Sequence, residues 1–248
     1  MTIRKIRRGV ALVFLMGASV SVGVNSTQAK DVYQNFAELS AAHSEGRDYH
    51  VTVSESRVGG GAVIFAPHGG AIEAGTELLA REMVKRGFGL YLFESHLCSK
   101  SNPELEKEGF CAKGKRGNLH LTSHHFDDPR ALQLAAKAGL CLSLHGFGSK
   151  DTEVSVMVGG LAADAKAEFA AAIKKSLPEV KLIEPKAGLG GVHPDNIVNR
   201  CQERGVQLEF SPEFRRKLRK DSVFAQKVAE TLSERFLSLS SRAAAKKK

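Results

Sequence analysis

The stretch Ala62-Val63-Ile64-Phe65-Ala66-Pro67-His68-Gly69-Gly70-Ala71-Ile72-Glu73-Ala74-Gly75-Thr76-Glu77 decides the fold. It opens as an uninterrupted apolar run with the length and composition of a buried strand. The run breaks at Pro67, passes through two glycines and resumes as a helix-like segment over residues 76–85. An imidazole therefore stands at the end of a strand, and a carboxylate opens the next helix one loop later. Open α/β sheets bind their ligands there, outside the carboxyl ends of the strands. Glycines at 69 and 70 let the backbone fold tightly and leave room beside His68. A neutral imidazole and a carboxylate supply two thirds of a His/His/Glu zinc site. The same residues also read as a plain strand-turn-helix in which Glu73 only favours the helix N-terminus.

Working outward, residues 49–56 alternate and read as a strand, and residues 32–43 as a short amphipathic helix. Residues 89–94 form the strand after the helix, so the centre of the chain is β-α-β, the pattern of a parallel pair. Residues 95–118 are a long polar and basic excursion. Residues 119–123 then read as a short strand, and Asp127-Asp128-Pro129 caps a helix that reaches Lys137. Leu140-Cys141-Leu142-Ser143-Leu144 is a second apolar strand followed by His145-Gly146, repeating the arrangement at His68. Beyond it lie strands at 154–158, 180–183 and 205–211, helices at 163–175 and 194–204, and a C-terminal helix at 221–237. The expected fold is α/β: one domain with a mixed, mostly parallel sheet and helices on both faces.

The first 29 residues differ in kind. Arg4, Lys5, Arg7 and Arg8 precede the apolar run Gly9–Val24, and Thr27-Gln28-Ala29 offers a small-residue cleavage site, so the segment reads as a secretory signal. At about 16 residues the run is marginal for a bilayer span, which makes an uncleaved anchor the lesser reading. The expected organisation is signal 1–29, catalytic domain 30–242 and a basic, solvated tail 243–248, with the mature chain secreted or periplasmic. Removing the signal takes away four basic residues and no acid, lowering the formal charge from +9 to +5. A moderately basic domain suits a polyanionic partner. Trp is absent and only three Tyr occur, which argues against a stacking platform for nucleic acid. Cys98 and Cys111 flank a loop suited to a disulfide in an oxidising compartment. Cys141, inside an apolar strand, reads as a small buried hydrophobe.

His68, His145 and Glu209 stand at the ends of otherwise apolar strands, with Glu73 just across the glycine turn. If strands 62–66 and 140–144 are neighbours, all four converge on one sheet edge. Two imidazoles and a carboxylate leave a tetrahedral zinc one open position. A further carboxylate is then needed to move a proton, and Glu209 is the candidate; a strand-edge salt bridge is the alternative role. His120 suits a substrate-facing or ligand-backing position and His193 a substrate contact, whereas His124 and His125 are weaker ligand candidates. Arg200, beside Asn199, could pair bidentately with a substrate carboxylate or could be a solvated helix charge.

The motifs Ala66-Pro67-His68-Gly69-Gly70-x-Ile72-Glu73-x-Gly75-Thr76, Leu119-His120-Leu121-Thr122-Ser123, His145-Gly146, Val158-Gly159-Gly160, Asn196-Ile197-x-Asn199-Arg200 and Gly205-Val206-Gln207-Leu208-Glu209-x-Ser211 together resemble the poly-γ-glutamate hydrolase family. The resemblance spans roughly residues 33–217. It implies a zinc-carboxypeptidase-like fold and zinc held by His68, Glu73 and His145. It also implies Glu209 as general base, Arg200 and Asn199 on a substrate carboxylate, and hydrolysis of γ-glutamyl amide bonds in a polyanionic substrate. The residues themselves leave open another γ-glutamyl or N-acyl substrate, such as a peptidoglycan peptide, and a non-enzymatic binder of acidic polymers. The 95–118 excursion does not map onto the family's short forms.

Overall fold

The structure, a computed structural model, describes residues 31–98 and 103–245. The expected signal segment and the last three lysines lie outside them. In chain order the elements are α1 (Phe36–Ala42), β1 (Tyr49–Ser54), β2 (Ala62–Gly70), α2 (Thr76–Val84), β3 (Gly89–Ser95), α3 (Pro103–Lys107), α4 (Pro129–Lys137), β4 (Leu140–Gly146), β5 (Ser155–Gly160), α5 (Ala163–Ser176), β6 (Lys181–Leu182), β7 (Gly205–Phe210), α6 (Pro212–Lys220) and α7 (Ser222–Ala245). The strands form one seven-stranded sheet in the order β1-β3-β2-β4-β7-β5-β6. β2 pairs in parallel with β3 and β4, β4 with β7, and β5 with β6. Only β1–β3 and β5–β7 are antiparallel. Among the described residues no helix is long and apolar enough to cross a membrane.

Strand alternation divides the core. Ala62, Ile64, Ala66, Leu142, Leu144, Val206 and Leu208 face one way, onto a cluster built with α2, α5, α6 and α7. Val63, Phe65, Tyr91 and Phe93 face the other way, under α1 and α4. Helices thus cover both faces, which is why the central strands read as continuous apolar runs. On the second face the alternation also carries Ser143, His145, Gln207 and Glu209, so β4 and β7 become polar on that side alone.

Several elements depart from expectation. β2 continues through Pro67 to Gly70, because its register against β3 slips between Ala66 and Gly69. A bulge needs no N–H from Pro67, so the proline is accommodated there. Gly70 has φ +64°, and a Cβ on it would lie 2.5 Å from the Ser95 carbonyl, so only glycine fits. Residues 119–123 form no strand. Leu119 and Leu121 are buried, but side chains take the backbone groups that a ladder would use: Leu121 O accepts from His68 and Thr122 N donates to Asp31.

The expected helix at 194–204 is a single 3-10 turn, Ile197–Arg200, after which Arg204 at φ 63° turns the chain into β7. The expected C-terminal helix is α7, which runs on through Ala245 into the expected tail, and an unexpected helix, α6, capped by Ser211 with Pro212 at its start, precedes it. Cys98 and Cys111 are bridged. Cys141 is bonded to Cys201, which corrects its reading as a free hydrophobe; the bridge ties β4 to the segment leading into β7.

Candidate metal centre

His68 emerges from the β2 bulge, Glu73 from the turn into α2 and His145 from the end of β4. The turn is closed by Glu73 N–H donating to the His68 carbonyl at 2.8 Å, which brings the acid back over the ring five residues earlier. His68 Nδ1 lies 2.9 Å from Glu73 Oε1 and 3.1 Å from His145 Nδ1, and His145 Nδ1 lies 3.6 Å from Glu73 Oε2. A tetrahedral ion with metal–nitrogen bonds of about 2.0–2.1 Å places its donors about 3.3 Å apart. The observed triangle matches that edge.

An outer hydrogen bond sets the His68 tautomer. His68 Nε2 meets the Leu121 carbonyl at 2.7 Å; a carbonyl only accepts, so Nε2 carries the hydrogen and the Nδ1 lone pair faces inward. His145 Nε2 is 3.3 Å from Ser123 Oγ, a hydroxyl that donates or accepts. With Nδ1 of both rings unprotonated, three electron-rich atoms point at one another, a geometry that a cation between them stabilises. All three residues are buried, with 2–7% exposure, which removes competing water from the donors. The donor set fits a metal. Donor atoms of His68, Glu73 and His120 also come within 4.8 Å of one another; Asp31 holds His120 Nδ1 at 2.6 Å and leaves the other ring nitrogen available as a further donor.

Glu209 is the register partner of His145 on the adjacent strand. Its Oε1 accepts from Gln207 Nε2 at 2.8 Å, and Gln207 Oε1 in turn accepts from Asn196 Nδ2 at 2.8 Å. The two buried acids are driven apart in acidity. Burial, followed by the charge of Glu73, pushes the Glu209 carboxyl well above the ordinary range. Burial also opposes ionisation of Glu73, but His68 and His145 outweigh it and hold Glu73 below that range. One acid stays an anion facing the imidazoles while the other is ready to carry a proton. Arg215 stands behind both acids, its Nε donating to the Phe210 carbonyl at 3.4 Å. A Cβ at residue 146 would sit 2.3 Å from that nitrogen, which accounts for glycine after His145.

These residues open into a cavity of about 230 Å³, whose wall includes His120, Ser123, His124, His193, Asn196 and Gln207. His124 and His193 stack with ring centroids 4.6 Å apart at its edge. Asn199 is fully buried: its Nδ2 donates to the Gly191 and His193 carbonyls, at 2.7 and 2.9 Å, and its Oδ1 accepts from Leu161 N. Both amide hydrogens are spent, so Asn199 holds the 188–193 loop and has none left for a substrate, a correction to its expected role. Arg200 is partly exposed and pairs with Asp195 at 3.0 Å, outside the cavity wall. Gln207, Asn196, Asp31 and Arg215 were not singled out from sequence. Gln207 was findable, since it lies two residues before Glu209 on one strand and shares its face.

The fold is α/β, and the site could hold a metal ion at the carboxyl ends of its central strands. A family model described as poly-gamma-glutamate hydrolase matches residues 33–239. The chain belongs to that family. It is 34% identical over 224 residues to the UPF0714 protein YndL of Bacillus subtilis (strain 168), covering 90% of this chain and 80% of the relative. A zinc-free structure of YndL superposes with TM-score 0.67 at 30% identity, covering 84% of this chain and 98% of the other. A bacteriophage poly-gamma-glutamate hydrolase superposes with TM-score 0.66 at 29% identity, covering 83% and 98%.

Proposed function

We propose that this chain hydrolyses γ-glutamyl amide bonds of poly-γ-glutamate with zinc held by His68, Glu73 and His145. The carrying observation is the pairing of a His/Glu/His triangle with a second buried acid, Glu209, on the neighbouring strand. Zinc at such a site supplies Lewis acidity toward water and the scissile carbonyl. Glu209, as carboxylate, takes a proton from the attacking water and delivers it to the departing amine nitrogen, so one water is consumed and a carboxylate and an amine are released. Gln207 donates to one Glu209 oxygen and fixes the carboxyl plane, leaving the other oxygen for the proton. Its own orientation is held by Asn196.

The polymer carries one free carboxylate per residue, which suits a domain whose mature charge is positive. Arg200 is the outer contact for such a carboxylate, exchanging Asp195 for the substrate. Two disulfides among the described residues support export as well, since they suit an oxidising compartment, as does the signal-like leader. We place the mature enzyme outside the cytoplasm.

The test is incubation of the purified mature protein, with zinc or with a chelator, on poly-γ-glutamate, sizing the products and titrating new amino groups. Shortening of the polymer that the chelator abolishes is the expected result. An unchanged polymer with stoichiometric zinc present would end the proposal. N-terminal sequencing of the exported protein tests cleavage after Ala29.

A further inference from the structure

Asp31 reaches the wall of the active cavity across 89 residues of chain. Its Oδ1 lies 2.6 Å from His120 Nδ1, and its Oδ2 accepts from Thr122 N at 2.8 Å. One carboxylate thus grips both a ring and the backbone two residues further on. That segment has no ladder partner to hold it, and Asp31 supplies the missing constraint. The His120 ring lies with its centroid 4.3 Å from that of His68, 5% exposed, on the cavity wall. With Nδ1 committed to Asp31, the remaining nitrogen, Nε2, has no hydrogen bond to any described residue. A donor atom of this ring comes within 4.8 Å of donors on His68 and Glu73, beside the ligand triangle.

An imidazole pinned through one nitrogen by a carboxylate is oriented in a single ring rotation, with its other nitrogen presented to whatever occupies the cavity. The metal triangle does not need it, since His145 completes that set at shorter distances. We infer that His120 is a substrate-contacting residue of this site, its Nε2 facing the scissile amide, and that Asp31 is the positioning residue that holds it there. This deepens the proposed hydrolase reading and rests on it for the substrate. Asp31 sits two residues beyond the expected cleavage site, so the mature chain would begin almost at its own active cavity.

The experiment is a double-mutant cycle on the zinc-loaded enzyme, combined with histidine nitrogen–proton spectra. Asp31→Ala is expected to lower kcat/KM on poly-γ-glutamate by about tenfold and His120→Ala by about a hundredfold. Both variants keep the wild-type zinc content. The double variant is expected to be no slower than His120→Ala, because Asp31 acts through that ring. Losses that multiply instead would make Asp31 a general brace of the 119–123 wall and overturn the inference. Loss of zinc in His120→Ala would make His120 a ligand and overturn it as well.

The spectra separate this inference from the hydrolase reading. The wild type is expected to show a His120 Nδ1–H correlation that disappears in Asp31→Ala. If the wild type fails to cut the polymer, that signal still reports the pair; its absence from the wild type would overturn the pairing whatever the substrate.

Discussion

His145 and Glu209 are register partners on the neighbouring parallel strands β4 and β7. His145 belongs to the His/Glu/His triangle and Glu209 is the buried acid beside it, so the sheet itself sets the spacing between the two groups. Because both side chains leave rigid central strands, neither depends on a loop for its place.

Replacing Glu209 by Gln removes the proton carrier and leaves the triangle intact. We expect kcat to fall by about 10²–10⁴, with zinc content unchanged by metal analysis. Near-wild-type turnover would remove Glu209 from the reaction.

Replacing His68 or His145 by Ala takes away a donor. Zinc content of the dialysed protein should fall well below one per chain, with activity falling in parallel and recovering only in part at high zinc. Retained stoichiometric zinc in both variants would show that the ion sits elsewhere.

The raised pKa of Glu209 makes a stability prediction for the metal-free protein. A carboxyl whose folded value lies above its ordinary 4.5 binds more protons folded than unfolded, so stability falls as pH rises past that ordinary value. Metal-free Glu209→Gln lacks this loss. It should therefore melt above the metal-free wild type at pH 8, and the gap should narrow as pH falls toward 4.5. A gap that widens on acidification would contradict the burial argument.

Cys141 and Cys201 close a loop with sequence separation 60. The chain-entropy relation assigns such a link about 4 kcal/mol. The Cys141→Ala/Cys201→Ala variant should lose stability of that order in urea unfolding, and reductant should lower the wild type toward it. A wild type indifferent to reductant would argue that the bridge does not form.

Asn199 and Arg200 are neighbours with separate tasks. Arg200→Ala should raise KM for the polymer several-fold at unchanged kcat, the signature of lost uniform binding. Asn199→Ala should cost about 2 kcal/mol of stability or more, because it strands buried carbonyls of the 188–193 loop. A KM effect in Asn199→Ala without loss of stability would return it to the substrate.

Much of the fold was legible because its central strands are short apolar runs, two of which, β2 and β4, end in glycine. α6 escaped notice since Arg215, Arg216, Lys217, Arg219 and Lys220 leave only Phe214 and Leu218 as its buried apolar residues. Its start was nonetheless written in Ser211-Pro212, a cap followed by a first-turn proline. The 3-10 turn at residues 197–200 was mistaken for a longer helix because Ile197, Val198 and Cys201 have helical spacing. They are in fact buried in the cluster under α4, where Cys201 is bonded to Cys141 of β4.

By itself the sequence determined which residues could bear charge at strand ends: His68, Glu73, His145 and Glu209 are conspicuous because apolar neighbours make them so. It could not determine which side-chain atoms would face one another. That depended on the strand order β2-β4-β7 and on outer partners such as Leu121, Ser123 and Asp31, brought in from distant parts of the chain. Side-chain alternation is a local property of each strand, whereas register and ring orientation follow from contacts between segments far apart in sequence, and only the packed structure specifies those.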